Sequence, residues 1–330
     1  MKRRTCVLLA LSALVVAITF HTEKTCAQTR IPHVGVLIVY PSLSAEVQQW
    51  FKPFPRTLSE RGWIEGKNVA IEYRDGAGDP TRLAEPAAQL VQLKVDVLLA
   101  VGPPAMRAAL AATRDIPIVA LDLETDPVAA GYAESYSHPG GNLTGLFLDA
   151  PALAGKWLEL LKTVVPNLSR VVVLWDPTEG SVHLDAVRNA APALGVKLQV
   201  LEIHTPEDIN KAPSAFRGRA HAMIALPSPM MWGQSARLAR LAKKHRLPAT
   251  SMFVPFADAG GLLAYGPELA GTVEQCAVLV AKILSGAKPG DLPVERPTKF
   301  EFVVNLKTAR DLHLTIPDTI LPMATRVINK

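Results

Sequence analysis

The sequence predicts an α/β fold of two similar lobes, each built on a parallel sheet, and three observations carry that prediction. Short, nearly continuous apolar runs rich in β-branched residues alternate with longer helical stretches from residue 33 onward. Such strands, apolar on both faces and separated by helices, belong to parallel sheets covered on both sides. The alternation passes through four strands and starts again near residue 169. The punctuation repeats as well. Asp79-Pro80 opens the second helix of the first half and Thr205-Pro206 opens its counterpart, each a capping side chain followed by proline at the first helical position.

In order, the first half reads as strands at 33–39 (HVGVLIV), 68–73 (NVAIEY), 95–101 (VDVLLAV) and 117–121 (PIVAL), with helices at about 44–61, 80–93 and 104–113. Pro53 and Pro55 fall inside the first helix, and proline removes a donor and clashes one turn back, so that helix is expected to break or restart near Pro55. The second half reads as strands at 170–175 (RVVVLW), 196–203 (VKLQVLEI), 221–226 (HAMIAL) and 248–252 (PATSM), with helices at about 178–194, 206–217 and 230–246. The Gly/Pro/Asn-rich segment 136–145 (YSHPGGNLTG) reads as a crossover between halves. Residues 260–266 (GGLLAYG) read as a returning strand, 268–285 as a helix, and 286–299 as an extended linker. The expectation is two Rossmann-like lobes joined by a hinge of several crossings, 31–145 with about 261–298 and 146–260 with about 299–330.

Composition bounds the function. The 330 residues are 49% hydrophobic and 20% charged, which suits packed cores and excludes a disordered chain. Three Cys cannot staple a chain of this length. The formal charge of +5 gathers at the front. Met1-Lys2-Arg3-Arg4 precedes an uncharged run at 6–20, and Thr25-Cys26-Ala27 offers small residues at 25 and 27. That order is a signal peptide cleaved near Ala27, and the run falls short of the roughly 20 residues a membrane-anchoring helix needs. Residues 1–27 carry four basic side chains and one acidic one, so the charge without them is +2, and Cys276 is then the only Cys. No long basic run interleaved with aromatics remains, and no nucleic-acid partner is expected.

Catalytic motifs are lacking. There is no G-x-G-x-x-G after the first strand, no phosphate loop and no G-x-S-x-G elbow, and the histidines are scattered. No cofactor or metal is expected. The informative residues follow the strands, because open parallel sheets bind ligands beyond the carboxyl ends of their strands. In the first half these are Tyr40, Ser42, Gly102, Pro103, Pro104, Thr125 and Asp126. In the second half they are Asp176, Thr178, Ser181, Ser228, Met230, Phe253 and Tyr265. Helix starts after Ser42, Gly102 and Thr178 suit a carboxylate. Asp126 and Asp176 suit an ammonium group, or else simply cap their helices. Tyr40, Trp232, Phe253, Phe256 and Tyr265 either flank a planar or apolar ligand or pack in cores.

Several stretches carry a family likeness. They include 61–69 (RGWIEGKNV), 71–74 (IEYR), Asp126-Pro127-Val128, 139–145 (PGGNLTG), Ala259-Gly260-Gly261-Leu262 with Tyr265-Gly266-Pro267, 297–301 (PTKFE) and 305–309 (NLKTA). With these the chain resembles the bacterial ABC-transporter substrate-binding proteins that include tryptophan- and tyrosine-binding lipoproteins. The resemblance implies a type I periplasmic-binding-protein fold whose lobes close on a small organic solute, an amino acid or an aromatic or carboxylate compound. It implies a membrane permease with ATPase subunits as partners. The residues before Cys26 lack a lipid-attachment motif, a departure from the lipid-anchored relatives, and a free, monomeric periplasmic protein is expected. Family members often carry a Gly-Thr-Pro-type loop after the third strand. Here the loop is Gly102-Pro103-Pro104, without that hydroxyl and without one backbone donor. The same cleft would serve a ligand-sensing module for a membrane receptor. An enzyme with Asp126 and Asp176 as facing carboxylates is the third reading.

Overall fold

The computed structural model describes residues 30–42, 44–212 and 220–329, and the signal-peptide and cleavage-site expectations lie outside them. Pro32–Lys330 forms one compact unit containing two sheets. The first sheet starts with β1 (His33–Ile38), β2 (Ala70–Asp75), β3 (Val97–Val101) and β4 (Ile118–Asp122) and ends with β5 (Leu143–Phe147). Its order is β2-β1-β3-β4-β5, and every pairing is parallel. Alternate residues of β1 serve opposite faces, as the strand period of two requires. Val34, Val36 and Ile38 join one core with Phe54 and Leu58, whereas Leu37 and Val39 join the other with Leu90, Met106 and Ala109.

The helices of this lobe are α1 (Ala45–Phe51), α2 (Pro53–Glu60), α3 (Ala84–Gln92) and α4 (Pro103–Ala112). The break expected near Pro55 falls at Lys52, with Pro53 as the first residue of α2. Proline is acceptable there because the first helical N–H has no intrahelical partner.

The second sheet contains β6 (Arg170–Trp175), β7 (Lys197–Glu202), β8 (Ala222–Ala225), β9 (Ala249–Ser251), β10 (Leu263–Pro267), β11 (Phe300–Asn305) and β12 (Arg326–Ile328). Its order is β12-β11-β10-β9-β8-β6-β7, parallel except for β10 against β11. The run β9-β8-β6-β7 repeats β4-β3-β1-β2, so the plan read twice in the sequence is built twice. Its helices are α5 (Ala150–Val164), α6 (Val182–Ala190), α7 (Pro229–Gly233), α8 (Ser235–Lys244) and α9 (Val254–Asp258), with α10 (Leu269–Leu284) and α11 (Leu306–Asp311) following. The expected helix at 206–217 is a short 3₁₀ turn over Pro206–Asn210, and residues 213–219 lie outside the described ones. The expected helix at 230–246 is two helices meeting at Gln234.

Two expected crossings fall elsewhere. The segment 136–145 is not wholly a crossover, because Leu143–Phe147 pairs with β4 from Ile118↔Leu143 to Asp122↔Phe147. Gly145 makes that pairing possible, since a Cβ there would lie 2.1 Å from the Ala120 carbonyl oxygen. The return to the first lobe comes after Pro267 rather than at 261. β10 is held in the second sheet between β9 and β11, whereas α10 packs on α2 and β4. The linker then runs beside β5, where Phe147 N–H donates to Glu295 O at 3.0 Å and Glu295 N–H donates to Gly145 O at 2.9 Å. The chain next enters β11, completing three passages between the lobes.

Candidate functional site

The carboxyl ends of the two sheets face one crevice, and the residues there come from both lobes. Tyr40 follows β1, and its hydroxyl donates to the Pro229 carbonyl at the start of α7. Its ring lies 4.4 Å from that of Trp232. These two rings, with Trp50 of α1 and Phe253 after β9, line a small cavity of about 70 Å³ that also touches Gly102 and Glu124. A second cavity of about 560 Å³ shares Trp50, Trp232, Phe253 and Leu269 with the first, so the two lie side by side along the crevice. The indole Nε1 atoms of Trp50 and Trp232 are buried without a hydrogen-bond partner in the protein.

Beyond the small cavity sits a polar cluster. Asp122 ends β4 fully buried, and its Oδ1 accepts from the Glu124 and Thr125 N–H groups, both at 2.9 Å. Its Oδ2 has no protein partner. Glu124 is also buried; desolvation, then the Asp122 and Glu179 carboxylates, push its carboxyl well above the usual range. Across the crevice, Glu179 accepts from Arg107 of α4 at 3.1 and 3.2 Å. Burial outweighs that guanidinium and raises Glu179 to about 7. His183 of α6 donates from Nε2 to the Leu123 carbonyl at 2.8 Å, and burial depresses it to about 4, leaving it neutral. Because a carbonyl only accepts, this bond places the proton on Nε2. Among the described residues, hydrogen bonds from Tyr40 to Pro229, Arg107 to Glu179 and His183 to Leu123 tie the lobes together across the crevice, beside the Tyr40–Trp232 ring contact.

The residues expected from sequence divide into three groups. Tyr40, Gly102 and Phe253 line the crevice, as does Trp232. Others are spent on local structure. Ser42 donates from N and Oγ to Asp75 Oδ2, and Thr125 N–H goes to Asp122. Asp126 accepts from Val128 and Ala129 N–H, and Asp176 from Thr178 N–H and Oγ. Ser228 caps α7 by accepting from Met231 N–H, and Ser181 starts α6 without a side-chain cap. Pro103 and Pro104 occupy the first two positions of α4, buried. The third group packs away from the crevice. Tyr265 stacks on Phe300 at 5.9 Å, Phe256 is fully buried beside α8, and Met230 packs against the same core. Trp50, Arg107, Asp122, Glu124, Glu179 and His183 were not singled out. Glu124 and Glu179 stand in loops already noted, yet nothing in the sequence shows that these loops meet.

Two α/β lobes meeting over an aromatic crevice, with three passages of chain between them, define a two-lobed solute-binding protein. The chain belongs to the ABC transporter substrate binding protein family, whose model matches residues 33–328. Members of this family are solute-binding components of ABC transporters that act outside the cytoplasm; they are not enzymes. The chain is 25% identical over 287 residues to the tyrosine-binding protein of Clostridioides difficile (strain R20291), covering 85% of this chain and 80% of that one. A crystal structure of a conserved domain protein from Vibrio cholerae superposes with a TM-score of 0.83 at 26% identity, covering 90% of this chain and 100% of the other. A protein from Streptococcus pneumoniae solved in complex with L-Trp shares the fold with a TM-score of 0.82 at 22% identity, covering 90% and 99%. Both sheets have the type I topology. Among the described residues no helix is long and apolar enough to cross a membrane.

Proposed function

We propose that this chain is the periplasmic solute receptor of an ABC importer and takes a small organic solute with an aromatic or apolar body between its lobes. The observation that supports this most is the set of four aromatic side chains, Tyr40 and Trp50 from one lobe and Trp232 and Phe253 from the other, around a single crevice. A ligand that touches both lobes favours the closed form by its differential affinity for it. The tyrosine- and tryptophan-binding relatives support an aromatic solute. In this reading the ligand ring lies in the larger cavity against Trp50, Trp232 and Phe253, with the Tyr40–Pro229 and His183–Leu123 bonds holding the lobes closed beside it. The closed receptor then docks on a permease with ATPase subunits, and hinge opening at the three crossings releases the solute.

A thermal-shift screen over amino acids, aromatic amines and aromatic acids tests the reading. At least one class raises the melting temperature in proportion to the logarithm of its concentration. A screen in which no small solute stabilises the protein contradicts it.

A further inference from the structure

The two cavities of the crevice differ in what closes their far ends. Trp50, Trp232, Phe253 and Leu269 line both. Past these shared residues the larger cavity is bordered by Asp258, Glu268 and Glu301, and the smaller by Tyr40, Gly102, Leu123 and Glu124. A ring seated against the shared aromatics therefore has a largely apolar extension beside it that ends in one acid. Among the described residues around the smaller cavity, Glu124 alone carries a carboxyl or a cationic group. At about 70 Å³ the extension has room for the substituent of a ring, since a single water needs about 10–15 Å³ of such space.

Glu124 is 6% exposed, and its carboxyl is only half used. Oε2 accepts the Leu123 N–H at 3.1 Å, whereas no hydrogen bond from the described residues reaches Oε1. The charged groups around it are Asp122, Glu179 and Arg107, and Arg107 is engaged by Glu179. Burial beside two carboxylates favours the neutral form of Glu124. In a neutral carboxyl the oxygen that accepts a backbone N–H is the carbonyl one, so the proton belongs on Oε1, where the protein offers it no acceptor. The Nε1–H groups of Trp50 and Trp232 are unpaired in the same crevice, and Trp232 is 8% exposed. Buried donors without acceptors carry a desolvation cost that a bound acceptor removes. A hydroxyl suits this place. It accepts from the Glu124 O–H or an indole N–H and still donates its own proton, so it serves either form of the carboxyl.

The other end of the crevice offers both signs of charge to the rest of the solute. Leu269 and Ala270 there belong to the uncapped start of α10, and Glu268 and Glu301 lie beside them. The tip of the ring is thus read apart from its tail.

Resting on the solute-receptor reading above, we propose that Glu124 sets the specificity of the crevice, selecting a ring that carries a hydroxyl over the same ring without one. The ring lies against Trp50, Trp232 and Phe253, and its hydroxyl enters the smaller cavity to bond Glu124 Oε1.

Titration calorimetry with three matched pairs tests this: L-tyrosine with L-phenylalanine, tyramine with phenethylamine, and phloretate with hydrocinnamate. At least one pair binds, and its hydroxylated member is expected to bind at least about tenfold more tightly, because the bare ring leaves a buried acid unpaired. Glu124→Gln keeps a donor and an acceptor and should keep most of that preference. Glu124→Ala removes both and should bring the pair within about threefold, with melting temperatures checking the fold of each variant. Equal binding within every pair, or a preference that survives Glu124→Ala, overturns the proposal and leaves the solute-receptor reading intact. No binding by any of the six compounds also overturns it, and together with an empty thermal-shift screen removes the solute-receptor reading as well.

Discussion

Arg107 of the first lobe reaches across the crevice to Glu179 of the second, at 3.1 and 3.2 Å, and yet Glu179 titrates near 7. The pair is lopsided: the Glu179 side chain is 6% exposed and that of Arg107 40% exposed. Burial of the acid thus outweighs the attraction of a cation that water also solvates. The contact orients the lobes more than it stabilises them.

Arg107→Met is expected to shift the ligand-free protein toward an open form. Glu179 escapes most of the cost by taking a proton, so the loss is about 1–2 kcal/mol rather than the full cost of stranding a buried charge, a five- to thirtyfold fall in the closed-to-open ratio. Small-angle scattering should show a larger radius of gyration. An unchanged radius would mean that Tyr40–Pro229 and His183–Leu123 suffice to hold the lobes.

His183 makes stability fall in acid. Its pKa drops from the usual 6.5 to about 4 on folding, so the unfolded chain takes up a proton first as pH falls. The stability it contributes is complete above 6.5 and is lost as pH falls toward 4, by about 3 kcal/mol for a shift of this size. Melting temperatures measured between pH 7 and 4 should decline less steeply in His183→Gln, whose amide can still donate to the Leu123 carbonyl.

Glu124 acts in the opposite sense. Its folded pKa is raised, so its contribution is present below the unfolded value of 4.5 and is lost as pH rises through the folded value. Glu124→Gln does not titrate, and it should raise the melting temperature at pH 8 more than at pH 5. An equal change at both would mean that the Glu124 carboxyl ionises freely in the fold.

Gly145→Ala tests the strand pairing that closes the first lobe. Its φ is +151°, and a Cβ would lie 2.1 Å from the backbone oxygen of Ala120, which cannot move without parting β4 from β5. The expected loss is about 3 kcal/mol, read by chemical denaturation. A near-neutral substitution would contradict the register Ala120↔Gly145.

How much of this was legible in the sequence follows from what each signal depends on. The strands 33–38, 97–101 and 170–175 were readable because they are buried on both faces, and their composition shows it. β5 was hidden because Gly145 and the preceding Pro-Gly-Gly-Asn look like loop, although the glycine is there to let two strands approach. In the crevice, Tyr40, Gly102, Trp232 and Phe253 were readable because they follow strands. Trp50 sits within an ordinary amphipathic helix, and only the crossing of the chain brings it to the crevice. Asp126 and Asp176 drew attention as acids before proline, and both are spent capping. Asp122 and Glu124, buried like Asp176, take backbone N–H groups from their own loop, but the Glu179 and His183 that face that loop lie more than fifty positions away in the other lobe.

The central claim is that this crevice binds one solute between the two lobes. The most direct measurement is calorimetric titration of a stabilising aromatic solute into the protein and into Trp232→Ala, with circular dichroism confirming the fold of the variant. One solute per chain is expected, with affinity falling at least about thirtyfold in Trp232→Ala, in keeping with the roughly 2 kcal/mol or more that a buried aromatic anchor contributes. Saturable binding with unchanged affinity in Trp232→Ala would place the solute elsewhere and contradict the account.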